Sequence, residues 1–132
     1  MRLLLDTHAL IWFFLGDERL SARARAAILD PDATILLSAA SAMEIAAKHR
    51  FGKPPQAERL VRDLSRMIAE QGFGDRPITT GHALRAGLLA IPHRDPCDRL
   101  LIDQSQMEGA RLERGRLRRL GRDPAVVTVA YL

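Results

Sequence analysis

The sequence predicts a three-layer α/β/α domain around a central, mostly parallel sheet. Three observations carry that expectation. Two short runs, Leu3-Leu4-Leu5 and Ile35-Leu36-Leu37, are wholly apolar, the pattern of strands buried on both faces. Each run leads directly into a helix-forming stretch, so strands and helices alternate. The connections are short, and no repeat, low-complexity tract or interdomain linker interrupts them. A length of 132 residues fits one domain, residues 1–132, with a modest core.

In chain order, Arg2 to Leu5 is the first strand, and Thr7 to Leu15 the first helix, broken at Gly16-Asp17. Ser21 caps a helix to Leu29, which Asp30-Pro31-Asp32 ends. Thr34 to Leu37 forms the second strand. Ser41-Ala-Met-Glu44 fits a capping box opening a helix to about Arg50. Gly52-Lys53-Pro54-Pro55 is a loop. Ala57 to Gln71 carries apolar residues at 60, 61, 64, 67 and 68, a helical spacing, and Gly72 and Gly74 stop it. Pro77-Ile78 is a candidate minor strand and Thr80 to Ala90 a further helix. Asp95-Pro96-Cys97-Asp98 combines a cap, a first-turn proline and a first-turn acid. The helix it opens runs to about Glu108, before Gly109.

Composition narrows the class. Apolar residues make up 47% of the chain, which argues against disorder. A single cysteine, Cys97, allows no intrachain disulfide and suits a reducing compartment. Asp6 interrupts the first apolar run and Ala9 to Leu15 is too short to span a bilayer, so a cytoplasmic protein without membrane contact is expected. The net charge of +4 comes from one place: residues 111–123 hold six arginines and two acids, leaving 14 basic and 14 acidic residues elsewhere. The basic character therefore belongs to the tail and does not mark the whole surface for nucleic acid.

Three acids stand where apolar segments meet helices: Asp6, Glu44 and Asp98. Each also has a structural use. Asp6 or Thr7 would cap the first helix, Glu44 would complete the box begun by Ser41, and Asp98 would favour the dipole of its helix. Asp6 is less comfortable as a mere cap because it abuts a fully apolar strand. In open parallel sheets ligands bind beyond the carboxyl ends of the strands, where Asp6 lies, with Glu44 on the helix after the second strand. Carboxylates gathered there raise one another's pKa unless a cation neutralises them. Mg²⁺ does so with hard oxygen ligands, and such an ion activates water and stabilises charge on a phosphoryl oxygen.

The segments Arg2-Leu3-Leu4-Leu5-Asp6-Thr7-His8-Ala9-Leu10, Leu37-Ser38-Ala39-Ala40-Ser41 leading into Met43-Glu44-Ile45-Ala46, and His93-Arg94-Asp95-Pro96-Cys97-Asp98-Arg99-Leu100-Leu101-Ile102 together resemble a PIN-domain protein. The resemblance is to VapC-type toxins of bacterial toxin–antitoxin pairs, over roughly residues 2–112. The two end motifs are specific and the middle one weaker; Met43 and Cys97 are mild departures where the family usually has an aromatic. The resemblance implies a Mg²⁺-dependent endoribonuclease, with Mn²⁺ able to substitute, held inactive by a cognate antitoxin and forming a homodimer. It implies Asp6, Glu44 and Asp98 as catalytic, metal-binding acids, with Asp6 and Asp98 the firmest ligands. Glu44 would complete the cluster through water or by assisting deprotonation of the attacking water. On the substrate side it implies Thr7, beside the first acid and placed to orient it, and Arg99, facing RNA phosphate or a neighbouring carboxylate; a plain helix-surface arginine stays open for Arg99.

After Leu112 the pattern is lost, and 113–132 is a divergent basic tail. Where the family places a fourth acid, this chain has Arg116. A frame change in the gene, or a basic arm for RNA, accounts for the switch; Val126 to Ala130 is β-prone and would replace the last strand. Asp123 and Asp103 are candidate substitutes for the acid, though Asp103 is rotated away from Asp98 on a helix and reads as solvated. His8 reads as packing or capping locally, Cys97 lacks a base partner for nucleophilic use, and Trp12-Phe13-Phe14 reads as core or dimer surface. The alternative function is a catalytically impaired PIN-fold module that binds antitoxin or RNA without cleaving. A haloacid-dehalogenase-like phosphatase is disfavoured because its second acid, two residues after the first, is His8 here.

Overall fold

The structure, a computed structural model, describes residues 1–52, 57–92 and 95–113. Its elements in order are β1 (Arg2–Leu5), α1 (Thr7–Leu15), α2 (Ala22–Leu29), β2 (Thr34–Ser38), α3 (Ala39–Arg50), α4 (Ala57–Gln71), β3 (Gly74–Arg76), α5 (Thr80–Leu88), α6 (Pro96–Met107) and β4 (Arg111–Glu113). The strands form one sheet in the order β3-β2-β1-β4. All three pairings are parallel, with Leu5 opposite Leu37 on one side and Glu113 on the other. The expected α/β architecture is what forms.

Alternation along the strands builds the layers. Successive side chains point to opposite faces, so Leu3, Leu5, Ile35 and Leu37 join one core with Ala9, Leu10, Ile28, Ile45, Leu60 and Leu64. Leu4 and Leu36 turn the other way, onto Leu101, Ile102 and Ala110 of the α6 side. The two central strands are thus covered on both faces, which explains why they read as unbroken apolar runs. Trp12 is buried and Phe13 and Phe14 pack against the first core, so this trio belongs to the interior and its fringe.

Caps set the helix starts. Asp6 Oδ1 accepts the Ala9 amide at 2.8 Å, and Ser21 Oγ accepts that of Ala24 at 3.1 Å. α3 begins earlier than the Ser41 box suggests: Ser38 is its cap, accepting the Ala40 amide at 3.1 Å. Ser41 is fully buried in the first turn. The box failed because β2 runs straight into α3 with no turn between them, leaving Ser38 at the junction. The genuine capping box opens α5, where Thr79 and His82 exchange side chain-to-amide bonds.

The third strand is also displaced from expectation. It occupies Gly74–Arg76, before Pro77-Ile78. Proline donates no backbone bond to a ladder, whereas Gly74 lies against β2 so closely that a Cβ would fall 2.8 Å from Leu36 Cδ2. α5 ends at Leu88, two residues short of the expected Ala90. β4 begins two residues after Gly109 and places Arg111–Glu113 beside β1. The β-prone segment Val126 to Ala130, Arg116, Asp123, residues 53–56, His93 and Arg94 lie outside the described residues. Among the described residues no helix is long and apolar enough to cross a membrane.

Candidate active site at the carboxyl edge of the sheet

Asp6 follows β1 immediately and is 3% exposed. Its position is dictated by the junction it makes: the strand ends, the chain turns, and one carboxylate oxygen starts α1. Thr7, next to it, donates from Oγ1 to Glu44 Oε2 at 2.5 Å and lies 3.3 Å from Ser41 Oγ. The second acid is therefore the one Thr7 orients, across the gap between α1 and α3. Lys48, one turn beyond Glu44, holds its other oxygen, Oε1, at 3.4 Å. The same ammonium stands 3.3 Å from His8 Nε2.

Asp98 arrives from the opposite layer. It lies in the first turn of α6, 8% exposed, with its amide given to the cap Asp95 at 3.1 Å. Electrostatics link it to the other side. Burial, then Lys48, pull the His8 pKa down, against the opposing pull of Glu44 and Asp98. The neutral ring this favours suits Nε2 as acceptor of the Lys48 proton. Burial, followed by the charges of Glu44, Asp95 and Asp98, pushes the Cys97 thiol up. A thiolate nucleophile is disfavoured in that field.

A buried glutamine fixes α6 against this edge. Gln104 is fully buried; its Oε1 accepts from Ser38 Oγ, and its Nε2 donates to the Pro77 carbonyl at 3.1 Å. It thereby ties the helix bearing Asp98 to the end of β2, the start of α3 and the segment after β3. Arg99 is committed to a parallel task. Its guanidinium donates to the carbonyls of Ala86 (2.9 Å), Gly87 (3.3 Å), Leu89 (2.6 Å) and Ile91 (3.2 Å), gathering carbonyls from the last turn of α5 and the segment after it. Asp103, read from sequence as solvated, is instead 2% exposed and paired with Arg85 at 3.3 Å, because α5 packs on that face of α6.

Asp6 thus follows β1, Glu44 lies on α3 after β2, and Asp98 lies in the first turn of α6. Among the described residues no three His, Cys, Asp or Glu side chains are grouped tightly enough to hold a metal ion. The donor chemistry nevertheless fits a hard divalent cation: every candidate ligand is a carboxylate oxygen, and Asp6 and Asp98 are almost wholly buried, where a charged carboxylate is costly without compensation. Mg²⁺ binds through one or two carboxylates and keeps several waters, so it requires no closed protein cage. Sequence reasoning missed Lys48, Ser38 and Gln104. Only Lys48 carried a signal, its four-residue spacing from Glu44.

A parallel α/β domain with buried acids at the carboxyl ends of its central strands defines a class of ligand-binding or hydrolytic domain. The comparisons narrow it. Residues 3–112 match the PIN domain, and the chain belongs to the PIN-domain family. The fold is similar to that of a chain in the crystal structure of VapBC2 from Rickettsia felis bound to a DNA fragment from their promoter, with a TM-score of 0.57, 16% identity and coverage of 85% of each chain. No protein of curated function matches the sequence.

Proposed function

We propose that this chain is a VapC-type toxin: a Mg²⁺-dependent endoribonuclease, with Mn²⁺ able to substitute, neutralised by a cognate antitoxin. The observation that carries the reading is the pair of nearly buried carboxylates, Asp6 and Asp98, brought from opposite layers to the carboxyl edge of a PIN domain. Asp6 and Asp98 are the ligands we assign to the ion, with Glu44 completing the set. When bound, a divalent ion supplies charge neutralisation and an acidified water. The chain's own groups do the rest. Glu44, steered by Thr7, accepts the proton of the attacking water. Gln104 keeps α6, the helix that bears Asp98, in register. Water adds to phosphorus, the P–O bond to the leaving nucleotide breaks, and the departing oxygen takes up a proton.

The surroundings follow the same reading. The protein works in the cytoplasm as a homodimer, for which Leu84 and Leu88, 64% and 83% exposed and one turn apart on α5, supply an apolar strip. The likeness to a chain of VapBC2, solved bound to a DNA fragment from their promoter, supports an antitoxin as partner.

Purified protein on total RNA, with and without Mn²⁺ and beside Asp6→Asn, tests the proposal: cleavage appears with the ion, is lost in excess EDTA and is absent from the variant. The engagement of both Glu44 oxygens by Thr7 and Lys48 favours a second reading, a PIN-fold module that binds antitoxin or RNA without cleaving. Tight antitoxin binding without cleavage in either Mg²⁺ or Mn²⁺ would select it.

A further inference from the structure

Lys48 is the charged group at this edge that the proposed reaction does not use. Its ammonium sits 3.4 Å from Glu44 Oε1 and 3.3 Å from His8 Nε2, with its side chain 35% exposed. Glu44 is gripped at both oxygens, by Thr7 on one and Lys48 on the other. The contact differs from an ordinary helix-surface pair, which contributes little, because it faces into an acidic edge that also holds Asp98. His8 Nε2 lies on the other side of the same ammonium.

We propose that Lys48 is a tethered counter-ion: it occupies the oxygen of Glu44 that a divalent ion would take, and such an ion binds at Glu44 only by displacing it. This accounts for the capture of both Glu44 oxygens by neighbours on α1 and α3. Lys48 acts as a positioning residue, setting how much divalent ion is needed to close the cluster while letting the domain fold without one. The inference rests on the metal reading above.

Calorimetric titration of full-length protein with Mn²⁺ tests it. Removing one positive charge from a site that receives two more tightens binding, and couplings of this kind span about 5- to 150-fold; Lys48→Met is expected to lower the Mn²⁺ dissociation constant about tenfold. Lys48→Arg, which keeps the charge, stays near wild type. In a Glu44→Gln background the same Lys48→Met change loses most of its effect, since the shared oxygen is gone. Thermal unfolding provides a second readout: saturating Mg²⁺ raises the Tm of Lys48→Met by more than that of wild type. Lys48→Gln serves in the same way if the methionine variant folds poorly. Unchanged or weaker Mn²⁺ binding in the charge-removed variants overturns the counter-ion role while leaving the metal reading intact. No Mn²⁺ binding by any of the proteins overturns both.

Discussion

Replacing Gln104 with leucine tests the strut that holds the two halves of the site together. The side chain is fully buried and makes two hydrogen bonds, accepting from Ser38 Oγ and donating to the Pro77 carbonyl. Leucine has nearly the same volume but satisfies neither partner. A buried group left without its partner costs about 1–3 kcal/mol, and the added apolar surface returns about 1 kcal/mol. With two partners stranded the net loss is about 1–5 kcal/mol, a large share of the roughly 5–15 kcal/mol that keeps a domain of this size folded. Urea unfolding of wild type, Gln104→Leu, Ser38→Ala and the double variant separates the terms. Ser38→Ala also removes the cap of α3, so the informative quantity is the coupling between the two sites, expected at about 1 kcal/mol. A Gln104→Leu protein within about 0.5 kcal/mol of wild type, with additive behaviour in the cycle, would refute the strut.

Other predictions follow from single contacts. Asp6→Asn keeps a good cap for α1 and should unfold within about 0.5 kcal/mol of wild type in urea, whereas Asp6→Ala loses the Ala9 bond and about 1 kcal/mol; a large loss for the asparagine variant would show that charge at Asp6 is structural. Arg99→Ala frees the carbonyls at the end of α5 and should cost about 2 kcal/mol, with Arg99→Lys a poor rescue because one ammonium cannot span them; a drop in RNA affinity at unchanged stability would instead place Arg99 on the substrate. The Asp17 carboxyl, bonded by Arg19, titrates at about 2, and Arg19→Ala should return it toward its ordinary 3.8 in an NMR titration. Since the folded value is the depressed one, that pair favours the folded state above the ordinary carboxylate range and stops doing so as the pH falls toward 2.

Much of this fold was legible because the local signals agree with the global arrangement. The runs at 3–5 and 35–37 are apolar at every position because sheet and helices cover both faces, and α4 follows its 3.6-residue pattern from Ala57 to Gln71. The failures have physical causes. Ser41 looked like a cap because a serine three residues before a glutamate is the capping pattern, yet the turn it presupposes is absent and Ser38 takes the role. β3 was misplaced because a three-residue strand opening on glycine has no β-propensity to reveal it. Asp103 looked solvated because its burial depends on where α5 packs, which no helical spacing encodes. The acids themselves stand out in the sequence where apolar segments meet helices, while the network around Glu44 and Gln104, Thr7 to Glu44 to Lys48 and Ser38 to Gln104, joins residues far apart in the chain and appears only in three dimensions.

The pairing of the first strand with the last described one has a consequence for biosynthesis. β1 is made well before β4, yet its outer rim of amides and carbonyls is met only when Arg111–Glu113 arrive to lie beside Leu3–Leu5. Until then the nascent polypeptide carries a central strand with one side unsatisfied, next to the carboxylate of Asp6. Closing so long a loop is slow compared with local pairing. The edge of the sheet beside Asp6 is therefore completed only after β4 has been made.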